Sequence, residues 1–229
     1  MRERHITETG TAYWAKVHAP QANAKFPNAD HPEGEYSIQL RFGDAESEGL
    51  RKLITDQMFA HHRVVGQERM KKHLEKHPKQ KAKFDTLDKF LDAHPVEQND
   101  LPFYQVLDDM GDPTGEWEFK FRDYGCYYKK DKASGQVLQT IENKITVRDA
   151  QNKPMTVEVG NGSQVKVAFE IFPYVSANIG IKLILKGVQV VDLVPYGGSA
   201  SVDFEVCEGY TQEVVADAEE MFEEEGVGF

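Results

Sequence analysis

The chain has 229 residues, enough for one large domain or one domain with appendages, and 40% of them are hydrophobic, enough for a core. No run of 18 apolar residues occurs, so no membrane-spanning helix is expected, and the charged start MRERHITETG has no apolar stretch behind it and is not read as a secretory signal. The net charge of −11 is unevenly placed: residues 203–229 hold ten of the 38 acids and no Lys or Arg, which leaves a nearly neutral body of 28 acidic and 27 basic side chains.

Strand-like segments dominate. TAYWAKVH (11–18) and GEYSIQLRF (34–42) flank a loop containing Pro20, Pro27 and Pro32. A helical pattern opens near Asp44, read as an N-cap, and places Leu50, Leu53, Ile54 and Met58 on one face. It runs, with a break expected at Gly66, to about His77, where Pro78 halts it. A shorter helix is expected within 81–93, where Phe84, Leu87, Phe90 and Leu91 fall in phase, followed by the loop HPVEQNDLP. From Trp117 the pattern is β: EWEFKFRDYGCYYKK, VLQTIENKITVRD and MTVEV are read as strands, separated by turns at Ser134–Gly135, AQNKP and GNGS.

The clearest strands come last. In SQVKVAFEIFPY, Val165, Val167, Phe169 and Ile171 alternate with Lys166, Ala168, Glu170 and Phe172; in IGIKLILKGVQVVDL, Ile181, Leu183 and Leu185 alternate with Lys182, Ile184 and Lys186. Residues 1–200 therefore read as a mainly β domain with a helical insertion over about 44–93, and residues 201–229 as an acidic C-terminal tail. A partly open, five-stranded antiparallel barrel suits the strand count, and such barrels bind nucleic acids on one face. A β-sandwich gives much the same pattern. Cys126 and Cys207 are the only cysteines, the second inside the acidic end, so no structural disulfide is expected and a reducing cytoplasm fits.

Basic residues interleaved with aromatics carry the functional signal. WEFKFRDYGCYYKK sets Lys120 and Arg122 on the face opposite Phe119 and Phe121, then presents Tyr124, Tyr127, Tyr128, Lys129 and Lys130. Single-stranded nucleic acid is held by a positive groove along its phosphates and by rings on which bases stack. In IFPYVSANIG, Pro173 is expected to stop the strand and set Tyr174 in a loop beside Lys166, Lys182 and Lys186. A core-facing phenylalanine row under solvated cations, and a tyrosine plugging the barrel end, are the structural alternatives. His61, His62, His73 and His77 lie on the long helix, but the spacing matches no metalloprotease motif and no third ligand is evident. No G-x-S-x-G motif, Walker-type loop or Cys–His–Asp arrangement is found, so no enzyme and no cofactor is expected.

The segment GNGSQVKVAFEIFPYVSANIGIKLILKGVQVVDL, followed by a glycine-rich linker, an acidic stretch and a terminal Phe229, resembles the single-stranded-DNA-binding proteins of short-tailed, T-odd-type bacteriophages. GEYSIQL matches that family's G-x-Y strand opening, and the ordered similarity runs from about Tyr13 to Phe229. The resemblance implies an OB-fold, sequence-independent binding of single-stranded DNA in phage replication, recombination and repair, action in the cytoplasm of the infected bacterial host, and a homodimer. It further implies that the acidic tail, with Glu223, Glu224, Glu225 and Phe229, competes with DNA and contacts the phage DNA polymerase and helicase-primase. By position Tyr174 matches the stacking tyrosine, and Lys120 and Arg122 the paired basic residues. Ser176 stands where the family has a tryptophan and Glu33 where it has a basic residue before G-x-Y, so stacking passes to Tyr124, Tyr127, Tyr128 or Trp14, with Lys16 and Phe172 beside the same strands. An acidic interaction protein that mimics DNA, or a metal-dependent nuclease built on the histidine-bearing helix, are the rival readings.

Overall fold

The computed structural model describes residues 2–97, 100–131, 133–176 and 179–196. In chain order the elements are β1 (Arg4–Ile6), β2 (Gly10–Gln21), β3 (Glu35–Gly43), α1 (Asp44–Lys76), α2 (Leu87–Asp92), β4 (Phe103–Leu107), β5 (Pro113–Tyr124), β6 (Cys126–Lys130), β7 (Val137–Glu142), β8 (Thr146–Arg148), β9 (Gln164–Val175) and β10 (Ile179–Asp192). Eight strands form one sheet in the order β1-β9-β2-β3-β5-β10-β8, with β4 on β5, while β6 and β7 form a separate ribbon. A further β9–β10 ladder makes the neighbour relation return on itself: β9 to β2, β3, β5, β10 and back to β9. Within that ring only β5–β10 is parallel. Five strands were expected in the sheet. The three extra ones, β1, β4 and β8, are three to five residues long; β1 and β4 are too short to show an alternation, while β8 is the end of VLQTIENKITVRD, which splits into β7 in the ribbon and β8 in the sheet.

Alternation explains the ring. In β3, Tyr36, Ile38, Leu40 and Phe42 are buried and Glu35, Ser37, Gln39 and Arg41 only partly so. Phe119 and Phe121 of β5, Val165, Val167 and Phe169 of β9, and Leu183 and Leu185 of β10 join them in one core. Each such side chain contributes about 1.5–3 kcal/mol on burial. The opposite rows are left for solvent, and they carry the cations. One polar group is buried among them: Glu118, 2% exposed, accepts from Arg41 Nε at 2.7 Å and from the Tyr104 hydroxyl. Desolvation, with the Glu118 carboxylate beside it, pushes the Tyr104 phenol up to about 12.

The helical insertion differs from expectation in three respects. Gly43, not Asp44, is the N-cap of α1, and it makes no side-chain cap bond. Asp44 instead uses its carboxylate to accept from Trp117 Nε1 and Arg51, both at 2.8 Å. The helix also runs unbroken through Gly66. A Cβ there would meet Leu91 Cδ2 at 2.4 Å, so the glycine is the seat of α2, and that packing offsets its cost of about 1 kcal/mol in a helix interior. The second helix is shorter than the pattern over 81–93 suggests: it starts after Thr86, whose side chain accepts from Lys89 N–H. No described helix is long and apolar enough to cross a membrane.

Two strand expectations fail. MTVEV forms no strand; only Pro154 and Val159 make isolated bridges, to Arg148 and Pro195. And Pro173 does not stop β9, which continues to Val175 with Pro173 opposite Ile181 and Tyr174 opposite Gly180. The reason is position at an edge. β1 covers β9 only as far as Glu170, so beyond it β9 is paired on the β10 side alone and the missing N–H removes no ladder bond.

Candidate nucleic-acid interface

The outward rows meet because strand register aligns them. Lys16 of β2 lies opposite Ser37 of β3, Ser37 opposite Arg122 of β5, and Arg122 opposite Ile184 of β10. On the β9–β10 ladder Lys182 lies opposite Phe172. Three clefts follow this face. The first, about 520 Å³, is lined by Lys16, Phe26, His31, Ser37, Lys120, Arg122 and Tyr124 among others. The second, about 240 Å³, shares Glu35, Arg122 and Tyr124 with it and adds Arg2, Tyr127, Phe172, Lys182 and Lys186. The third, about 520 Å³, shares Lys186 with the second and adds Arg4, Arg148 and Lys166. Shared walls join the three into one basic path over the ring.

The side chains singled out in the sequence have unequal freedom on this path. Lys16 and Lys120 are exposed. Arg122 is 39% exposed and faces Glu35 at 3.8 Å. Lys166 is half-buried in the third cleft, away from Lys120. The Lys182 ammonium sits 5.1 Å from the centre of the Tyr174 ring, and desolvation, with Arg122 nearby, lowers its pKa. Tyr174 is half-buried in β9, not in a loop. Its hydroxyl end lies where a Cβ of residue 180 would be, 2.4 Å away, so Gly180 is what lets the ring lie flat over β10. Phe172 carries the Arg2 guanidinium 4.4 Å over its ring. Lys186 is different: its ammonium is 2.8 Å from Asp123, a carboxylate 1% exposed, and is committed to the fold.

The tyrosines after β5 form a cluster around a residue that sequence reasoning missed. His31, from the β2–β3 loop, stacks on Tyr124 with centroids 3.5 Å apart and planes at 5°, and its Nδ1 donates to the Cys126 carbonyl at 3.0 Å. The Tyr127 hydroxyl donates to Asp123 and that of Tyr128 to Glu33. Burial first, then Asp123, raises the Tyr127 pKa, and the bond to Glu33 pushes Tyr128 up to about 12. Lys130 pairs with Asp30 at 2.8 Å and ties the same loop to β6, while Lys129 is exposed. One face of Tyr124 is thus already occupied. Nothing in the local sequence around His31 announces this; the signal is only that a histidine stands in a proline-rich loop. Arg2, Arg4 and Arg148 were also missed, because isolated arginines in short segments have no pattern.

Among the described residues no group of three or more His, Cys, Asp or Glu is placed to hold a metal ion. His73 and His77 are 4.8 Å apart at the end of α1, where His73 bonds to Gln80 and packs on Phe84 and Phe90. Glu223, Glu224, Glu225 and Phe229 lie outside the described residues.

A closed cycle of strand pairings with a basic, aromatic-bearing outer face is the arrangement of a binding module. The family model for the single-stranded DNA-binding protein of bacteriophage T7 matches residues 10–193, and the chain belongs to that family, one of binding proteins and not of enzymes. Among solved structures it is similar to gp2.5, a single-stranded DNA-binding protein encoded by bacteriophage T7, at 23% identity over 93% of this chain and 100% of that one, with a TM-score of 0.52. It is also similar to the single-stranded DNA-binding protein of bacteriophage Enc34, at 13% identity, 86% of each chain and a TM-score of 0.50. The Enc34 protein in complex with single-stranded DNA matches at 13% identity, 85% of this chain and 89% of that one, with a TM-score of 0.52. No curated protein sequence matches.

Proposed function

We propose that the protein binds single-stranded DNA without sequence preference, along the basic path over the ring of β2, β3, β5, β10 and β9. The observation that carries this reading is the run of Lys16, Lys120, Arg122 and Lys182 along adjoining clefts, with Phe172 and Tyr174 beside them. Cations meet the phosphates and rings accept bases; neither reads base identity. The closed cycle of pairings supports an OB-type barrel as the scaffold. Residues 203–229, with ten acids and Phe229, act as a tethered stand-in for DNA that competes for the cations and, once displaced, offers its charge and terminal ring to phage DNA polymerase and helicase-primase. The setting is phage DNA replication and recombination in the bacterial host, with the protein acting as a homodimer.

The test is a titration of intrinsic fluorescence with poly-dT and with duplex DNA of equal length, on the full chain and on a chain ending before Thr211. Quenching by the single strand alone, at lower DNA concentration after truncation, is expected. Equal response to duplex, or truncation that weakens binding, contradicts the reading; a chain that binds neither DNA points to the acidic interaction protein.

Lys182 supplies a second, independent expectation. Its pKa is depressed in the free protein by desolvation and by Arg122. A phosphate beside it favours the ammonium, so the bound state holds more protons in the alkaline window between the two pKa values. Complex formation in that window takes up protons, and affinity falls as pH rises through it. Calorimetry in two buffers of different ionisation enthalpy reads the uptake. It should shrink in Lys182→Met, and an unchanged proton count in that variant removes Lys182 from the contact.

A further inference from the structure

Among the described residues, only Trp14 and Asn152 have positive φ without being glycine, at 52° and 64°. Asn tolerates that region; a bulky aromatic does not, at about 1–2 kcal/mol for a left-handed residue. The geometry comes from a bulge. Tyr13 pairs with Gln39 and Lys16 with Ser37, so Trp14 and Ala15 together oppose Ile38. The first residue of a bulge with left-handed backbone is ordinarily glycine.

The surroundings hold this conformation from two sides. The Trp14 N–H, released from the ladder, donates to Asn161 Oδ1 at 2.8 Å. The turn that carries Asn161 is clamped on β2, with Ala12 N–H to Ser163 O at 2.8 Å and Gly162 N–H to Ala12 O at 2.9 Å. Ala15 packs against the core, and the indole, 64% exposed, is turned out. Among the described residues the indole has no ring or cation partner, whereas the neighbouring Tyr13 ring is covered by Arg41 at 4.3 Å. A bulge needed only to bend β2 would be served better by glycine. What the strain secures is an uncovered indole two residues from Lys16, which shares its cleft with Lys120 and Arg122.

We infer that Trp14 is a stacking subsite for a nucleobase of a single strand that leaves the Lys16–Lys120 end of the basic path. The inference rests on the reading of the protein as a single-stranded-DNA binder and extends it beyond the clefts themselves. The indole stacks on the base, while Lys16 holds the adjoining phosphate.

The experiment compares the full chain with Trp14→Ala, Trp14→Phe, Trp14→Gly and Lys120→Ala against oligo-dT of increasing length. Wild-type affinity should rise when the strand becomes long enough to reach Trp14, and that increment should vanish in Trp14→Ala, a loss of about 5- to 150-fold for one stacked base. The dependence of affinity on salt should stay as in the wild type, since a ring neutralises no phosphate, while Lys120→Ala makes it shallower. Trp14→Phe should keep most of the increment. Trp14→Gly should lose it yet melt no lower than the wild type, because glycine relieves the strained backbone; a merely structural tryptophan would lower the melting temperature and leave the length dependence intact. Equal affinity of wild type and Trp14→Ala at every length overturns the subsite while the wild type still binds. A wild type that does not bind oligo-dT overturns the parent reading instead. A change of sedimentation in Trp14→Ala without a change in DNA affinity assigns the ring to a subunit contact and also overturns the subsite.

Discussion

Lys186→Met is expected to destabilise the protein by about 3–5 kcal/mol, a larger effect than truncating any exposed lysine of the path. The carboxylate of Asp123 is 1% exposed and has three donors: Lys186 Nζ at 2.8 Å, the Tyr124 N–H at 3.0 Å and the Tyr127 hydroxyl. Removing Lys186, its one cation among the described residues, leaves a buried anion on two neutral donors. For a chain of this size the loss corresponds to a fall in melting temperature of about 6–20 °C. The cycle with Asp123→Asn separates pairing from packing: the double variant should recover part of the deficit, since two neutral partners leave no unpaired charge. Scanning calorimetry or urea unfolding reads both. If Lys186→Met melts with the wild type, the ammonium is not part of the fold and returns to the set of free cations available to DNA.

Lys120→Ala combined with Arg122→Ala should have the largest effect on binding. Lys120 is exposed and Arg122 has, among the described residues, a single ion-pair partner, Glu35 at 3.8 Å, so neither is needed for the core beneath, which Phe119 and Phe121 fill from the other side of β5. Each charge-assisted contact to a phosphate is worth about 1.5–3 kcal/mol, which makes roughly a tenfold to hundredfold loss per cation at low salt. Because two phosphates lose their counter-charges, the slope of log affinity against log salt should become shallower by about 1.4. A fluorescence or anisotropy titration at several NaCl concentrations measures both quantities. Weaker binding with an unchanged slope means that the two cations act by positioning neighbours; unchanged binding moves the path elsewhere.

The ring was legible where strands are long and half-buried. In β3 and β9, in β5 over Trp117–Phe121 and in β10 over Ile179–Leu185 the inward side chains are apolar at every second position, and register then follows from which face is wet. The basic row was legible for the same reason, since Lys120, Arg122, Lys182 and Lys186 are the out-of-phase members of those strands. Which of them stays free was not. Lys182 and Lys186 occupy equivalent positions four residues apart, yet one faces a ring and the other a buried carboxylate contributed by a strand about sixty residues earlier. MTVEV shows the opposite error: Met155, Val157 and Val159 alternate as in a strand, but the segment touches the edge of β8 only at its start, through the Arg148–Pro154 bridge and Met155 N–H to the Val147 carbonyl, and Val157 remains exposed. His31 on Tyr124 is a long-range pairing of the same kind, and no local pattern encodes it.

The ring is closed by seams of very different length. β9 and β10 match from Val175–Ile179 to Gln164–Asp192, whereas β9–β2 rests on Gly10–Val165 and Thr11–Gln164, and β5–β10 on Phe121–Leu183 and Arg122–Ile184. The short seams are where the fold has least to hold it shut. Arg122 is itself a member of one of them, and the Lys182–Phe172 step follows next along β10. On the proposed path, a polyanion running from Arg122 to Lys182 would cross that seam and lace its two lips together from outside. Cargo held in this way would be a structural member of its carrier: a loaded molecule would resist opening in a way that an empty one does not, and its stability would be set in part by what it carries.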